Sequence, residues 1–160
     1  MTFDYKKEYK EFYMPKGTPS IVTVPKINYI AVRGSGNPND ADGEYKQAIG
    51  LLYGIAFTIK MSKKEDHQID GYFDYVVPPL EGFWWQGERR PGDAMLRTDR
   101  AGRRDGVSGT VDAMHRFMEE QGYTLDITDQ RMHHEIYLSD VRKVAPEKLK
   151  TVIRHPIKRA

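Results

Sequence analysis

Apolar and polar positions recur with definite periods along most of the chain, and the period changes from segment to segment. Between residues 4 and 13, Tyr5, Tyr9, Phe12 and Tyr13 stand three or four apart among lysines and glutamates, which is the period of an amphipathic helix with an aromatic stripe. Asp4 suits its N-cap, and Pro15 with Gly17 ends it. The β-branched run Ser20-Ile21-Val22-Thr23-Val24 predicts a strand stopped by Pro25. Asn28 to Gly34 predicts a second, with Ile30 and Val32 on one side and Tyr29, Ala31 and Arg33 on the other. Residues 41–61 predict the longest helix, apolar widely enough around its circumference to be largely covered. Gly50 and Gly54 in it lie four apart and predict a close neighbour, since packing is what offsets their poor helix propensity. Tyr72 to Val77 predicts a third strand, closed by Pro78-Pro79. A second helix starts at Gly109 and Thr110, with Thr110 as N-cap and Val111, Met114, Phe117 and Met118 as its apolar face, and Gly122 ends it. His115 falls off that face and is expected in solvent. Residues 145–150 predict one helical turn, and Val152 to Ile157 an extended or short helical tail.

The stretch Met132-His133-His134-Glu135-Ile136-Tyr137-Leu138-Ser139-Asp140 predicts a strand of a different kind. Alternation puts His133, Glu135 and Tyr137 on one face and His134, Ile136 and Leu138 on the other. Ile136 and Leu138 need a core. Glu135 then stands mid-strand on the opposite face, which either meets water or floors a cleft. In a cleft, its carboxylate needs a donor, a cation or a proton. His134 is expected at the core edge or on a backbone hydrogen bond.

Composition narrows the chemistry. At 160 residues the chain suits one domain, or two small halves sharing a core. No cysteine is present, which excludes disulfides, thiolate metal sites and cysteine nucleophiles. A net charge of +2 sets up no global field for nucleic acid. Residues 86–108 hold six arginines, but four acids are interleaved and no aromatic is present to stack on bases. That stretch has little to bury and predicts a loop. Gly34-x-Gly36 lacks a third glycine where Asn39 stands, so no phosphate cradle is predicted. His133 and Glu135 offer two metal ligands without a second clear pair, so no metal and no cofactor is expected. The first residues carry no apolar signal core and no run reaches membrane-spanning length, so the expectation is a cytoplasmic protein without a membrane partner.

Leu80-Glu81-Gly82-Phe83-Trp84-Trp85 gathers both tryptophans of the chain beside a carboxylate. The pair either caps a core or walls a pocket for flat or cationic organic molecules. Pro79 to Trp85, His133 to Asp140, and Ala145-Pro146-Glu147-Lys148-Leu149-Lys150-Thr151 running into Arg154-His155-Pro156 together resemble the GyrI-like small-molecule-binding domain family, in its stand-alone bacterial branch. The likeness covers residues 3–85 and 110–158. It implies an α+β fold with an antiparallel sheet and helices packed on one side. It also implies a tandem pseudo-repeat of two halves, about 18–85 and 109–158 within a single domain of 1–160, with a ligand cleft between them. The stretch 86–108 stands where members carry further strands, so the second half is shortened. The missing wall is then supplied by a second copy, as a homodimer, or left open, or the stretch is a damaged remnant of the missing strands.

By the same resemblance the ligand is a bulky aromatic or cationic small molecule, and Glu135 is its charged anchor. The candidate ligand-binding set is Glu135, Tyr137, Trp84, Trp85, Glu81 and Tyr75. Some stand-alone members resemble hydrolases that open strained cyclopropane rings of DNA-alkylating compounds, and for such a reaction Glu135 and Tyr137 are the catalytic candidates. A third reading is the effector-sensing partner of a transcription regulator, because no helix-turn-helix segment precedes residue 20.

Overall fold

The computed structural model describes residues 2–38, 40, 42–64, 69–85, 104–140, 143–145 and 148–160, with backbone alone at 104–108. In chain order the elements are helices α1 (Tyr5–Glu8), α2 (Lys10–Tyr13) and α3 (Glu44–Met61), a 3-10 turn (Ser62–Lys64), strand β1 (Leu80–Trp84), helix α4 (Arg104–Glu120), and strands β2 (Tyr123–Leu125), β3 (His133–Tyr137), β4 (Thr151–Arg154) and β5 (Ile157–Arg159). Both sheets among the described residues are antiparallel: one runs β1-β3-β4 and a second pairs β2 with β5. The fold is α+β with antiparallel sheets, as expected. No helix among the described residues is long and apolar enough to cross a membrane.

The chain divides into two compact units, Met1–Glu8 with Val24–Pro78, and Tyr9–Thr23 with Pro79–Ala160. In the first unit Asp4 caps α1, its Oδ1 accepting from the Lys6 amide at 3.0 Å. Phe3 bridges to Tyr75 in parallel, with Phe3 N–H on Asp74 O and Val76 N–H on Phe3 O, both at 2.8 Å. That single bridge is what becomes of the expected strand at 72–77. Asp74 also accepts from Thr2 Oγ1 and from Lys63 Nζ, each at 2.7 Å. These two donors hold its carboxyl down at about 2.

Two expectations are corrected. Residues 20–33 join no ladder among the described residues, and Ile21, Val22, Val24, Tyr29, Ile30 and Val32 are exposed. Their alternation identifies a face that a strand could bury, but a strand exists only where another edge supplies hydrogen bonds. Helix α3 has the predicted extent without the predicted cover. None of its residues is buried, Leu51 is 57% exposed, and nothing lies within 4 Å of where a Cβ would stand at Gly50 or Gly54.

In the second unit the expected first helix resumes as α2 after Tyr9, whose φ of −120° and ψ of 54° leave helical geometry. All the buried apolar side chains among the described residues lie here: Phe12, Tyr13, Met118, Ile136 and Val152. Helix α4 begins at Arg104 rather than Thr110, so Thr110 is interior to it and not its cap. The expected loop at 86–108 is therefore helical from 104 onward, and its remainder lies outside the described residues. Gly122, with φ of +75°, ends α4 in the left-handed conformation that glycine adopts without strain. The chain then enters β2. The expected tail is two strands, β4 and β5, separated by His155 and Pro156.

Candidate functional site

The central strand β3 decides which side chains meet. Its neighbours set Trp84, Gly82 and Leu80 of β1 opposite His133, Glu135 and Tyr137, and Ile153 and Thr151 of β4 opposite Glu135 and Tyr137. Since paired residues share a face, these make one surface of the sheet. Glu81, Phe83, His134, Ile136, Val152 and Arg154 make the other.

On the first surface, four side chains form a continuous hydrogen-bonded line. Trp84 Nε1–H donates to Tyr137 Oη at 3.2 Å, and Tyr137 O–H donates to Glu135 Oε2 at 2.6 Å. His133 Nε2 stands 3.2 Å from the other carboxylate oxygen. Space for this arrangement comes from Gly82. A Cβ there would stand 2.6 Å from Trp84 Nε1 and 3.0 Å from Tyr137 Oη, so the indole lies over the one position of β1 that has no side chain. The side chains of His133 and Glu135 keep 24% and 25% of their surface exposed. The carboxylate is thus both oriented and reachable.

The line continues past His133. His155, in the link between β4 and β5, sets Nε2 2.8 Å from His133 Nδ1, and its Nδ1 lies 3.2 Å from Nε2 of His115 on α4. Burial, and after it the neighbouring His133 and His115, push His155 down from 6.5 to about 4, so it is neutral at neutral pH. The expectation of a solvated His115 is thereby corrected: the residue lies off the Met/Phe stripe but is half-buried against His155. The three rings lie in series, and no group of three or more His, Asp or Glu among the described residues converges as a metal site.

The opposite surface holds the core. Ile136 is fully buried, and His134 and Val152 are nearly so. His134 Nε2–H donates to Glu81 Oε2 at 2.7 Å, and the Tyr13 hydroxyl donates to Glu81 Oε1 at 2.9 Å. The His134 ring stacks on Phe83 with centroids 4.2 Å apart. Arg154 donates to the Phe12 carbonyl and lies over the Phe12 ring. Together these contacts fasten α2 to the sheet.

Of the sequence-predicted set, the structure brings together Glu135, Tyr137 and Trp84. Glu81 lies across the sheet from them, in the pair that holds α2. Trp85 follows β1 and is 45% exposed. Tyr75 belongs to the first unit, where its hydroxyl donates to the Ala56 carbonyl at 3.0 Å. The predicted set did not include Gly82, His133, His155 or His115. His133 shares the alternation of Glu135 and was legible as a neighbour. The others depend on strand register and on the packing of α4.

Three solved structures are similar over essentially the whole chain. An uncharacterized conserved protein from Listeria innocua is 36% identical with a TM-score of 0.81, over 98% of this chain and 100% of its own. A hydrolase from Listeria innocua is 38% identical with a TM-score of 0.79 over the same shares. A further hydrolase structure from that organism is 37% identical with a TM-score of 0.78, over 99% of this chain and 100% of its own. The chain belongs to the family of these proteins. No family model matches it, and no curated protein does.

Proposed function

We propose that the chain is a hydrolase of GyrI-like type, in which Glu135 activates water against a strained organic electrophile held beside Trp84 and Tyr137. The observation that carries the reading is the held carboxylate. Glu135 is a quarter exposed, with Tyr137 fixing one oxygen at 2.6 Å and His133 the other at 3.2 Å. Positioned in this way, it can take a proton from water as a general base, a role typically worth about 10²–10⁴ in rate. The hydrolases among the family's solved structures support the same reaction type.

For a three-membered ring conjugated to an electron acceptor, the step balances simply. Water forms a C–O bond at a ring carbon as the strained C–C bond breaks. The bonding pair moves into the acceptor, and the water proton passes to Glu135. Protonation of the acceptor completes the addition of water. Trp84 and Tyr137 supply the flat walls that a bulky aromatic substrate needs, and a cationic one gains about 0.5–2 kcal/mol per ring.

A binding protein without turnover would use the same residues, with Glu135 as the anchor for a cation. The test separates the two. The protein is titrated with aromatic cations and cyclopropane electrophiles while tryptophan fluorescence is followed, and each mixture is analysed for hydrated product by mass. Product that vanishes in Glu135→Gln, with quenching retained, is the expected result. Saturable quenching without product from any compound would replace the hydrolase by the binding module.

A further inference from the structure

His133, His155 and His115 come from three separate elements, yet their rings stand nitrogen to nitrogen in one series that starts at Glu135. The two inner rings use both nitrogens. His133 turns Nε2 to Glu135 and Nδ1 to His155, and His155 turns Nε2 to His133 and Nδ1 to His115. One hydrogen bond is enough to orient an imidazole. Consecutive rings bonded on both sides by proton-exchanging groups make an unbroken path. We propose that His133, His155 and His115 form a proton relay between Glu135 and solvent at helix α4, which rests on the reading of Glu135 as a base.

The path balances in protons. A neutral imidazole has one N–H and one lone pair. While Glu135 is ionised, its Oε1 can only accept, so His133 carries its proton on Nε2 and accepts at Nδ1. The same assignment then passes to His155 and His115. When a proton enters from solvent at His115 Nδ1, each Nε2–H is handed inward along the series and Glu135 is protonated on Oε1. The carboxylic O–H donates to His133 Nε2, and all three rings carry Nδ1–H. Returning to the first pattern breaks the Glu135 O–H and one Nδ1–H per ring, and forms one Nε2–H per ring. Between the two transfers Glu135 gives the first proton to the acceptor of the opening substrate and takes another from water, so the single proton that finally leaves from His115 Nδ1 is the water proton. No ring is charged in either pattern. A half-buried His155 that resists protonation, as its value near 4 requires, suits a ring that passes a proton without storing it.

Long-range ¹H–¹⁵N correlation of the histidine rings in the full chain tests the resting pattern. At pH 7.5 the expected result is the Nε2–H tautomer at His133, His155 and His115. A charged ring, or Nδ1–H at any of the three, overturns the proposal. The kinetic arm uses His155→Phe, which keeps the ring's bulk and breaks the path. Substrate affinity by tryptophan quenching should stay within about twofold, turnover should fall by about tenfold or more, and added imidazole should restore part of it. Wild-type turnover in this variant would also overturn the relay. If His155→Phe does not fold, His115→Phe cuts the half-buried outer end and takes its place with the same expected loss. Should Glu135→Gln retain full turnover, the reading of Glu135 as base fails separately, and the ring tautomers still decide whether the series exists.

Discussion

Two neighbouring residues of β1, Glu81 and Gly82, have opposite duties. Glu81 turns to the buried side, where His134 and Tyr13 satisfy its carboxylate. Gly82 turns to the other side and leaves room for Trp84 to reach Tyr137. Which carboxylate near the tryptophans belongs to the site is not readable from β1 alone, since it depends on the register that sets Gly82 opposite Glu135. The space argument yields a prediction. In Gly82→Ala the new methyl displaces the indole, and the hydrogen bond from Trp84 to Tyr137 is lost. One such bond contributes about 1 kcal/mol, so ligand affinity read by tryptophan quenching should weaken roughly fivefold while the fold persists. Unchanged affinity together with an unchanged emission maximum would mean that the indole does not need the space at Gly82.

At the scale of elements, β3 was the most legible segment, because burial on one face and chemistry on the other impose a strict alternation. Ile136 is fully buried among its partners on the core face. Ile136→Ala should therefore destabilise the protein by about 2–5 kcal/mol, seen as a lowered urea midpoint with little change in slope. A loss below about 1 kcal/mol would place the core elsewhere. Phe83, 47% exposed, is the contrasting position on the same face, and its truncation should be milder. Other elements were less legible for identifiable reasons. Helix α4 extends to Arg104 through residues with no apolar period, so its predicted start fell at Thr110. Residues 20–33 have the alternation of strands but no ladder among the described residues, since alternation describes a face and not a partner. Helix α3 was predicted from its period, and its length follows. Its cover was inferred from apolar content, and content does not place a neighbour.

At the scale of the molecule, the buried apolar side chains among the described residues gather in the second unit, and His155 ties that unit's stability to pH. In the unfolded chain this ring takes a proton near 6.5, and in the folded protein only near 4. Between those values the unfolded state holds the extra proton, so stability rises with pH there. The contribution is fully present above about 6.5 and is lost as the pH falls toward 4. The fall in Tm between pH 7 and pH 5 should accordingly be smaller in His155→Gln than in the parent protein. Parallel curves for the two would show that His155 is not held neutral by its surroundings.

Taken alone, the sequence determined the long helix, the end of α4 at Gly122, and the strand that carries Glu135 with His133 and Tyr137 beside it. These follow from local periods and from the conformational preferences of single residues, which act over a few positions. The tertiary structure decided what lies across from what. It set Gly82 rather than Glu81 against Glu135, and joined Trp84 to Tyr137. It paired Glu81 with His134, and brought His155 and His115, forty residues apart in the chain, into line behind His133. Such contacts depend on strand register and helix packing. Both are set by the burial of Ile136, Val152 and their neighbours in three dimensions, and no period along the chain encodes them.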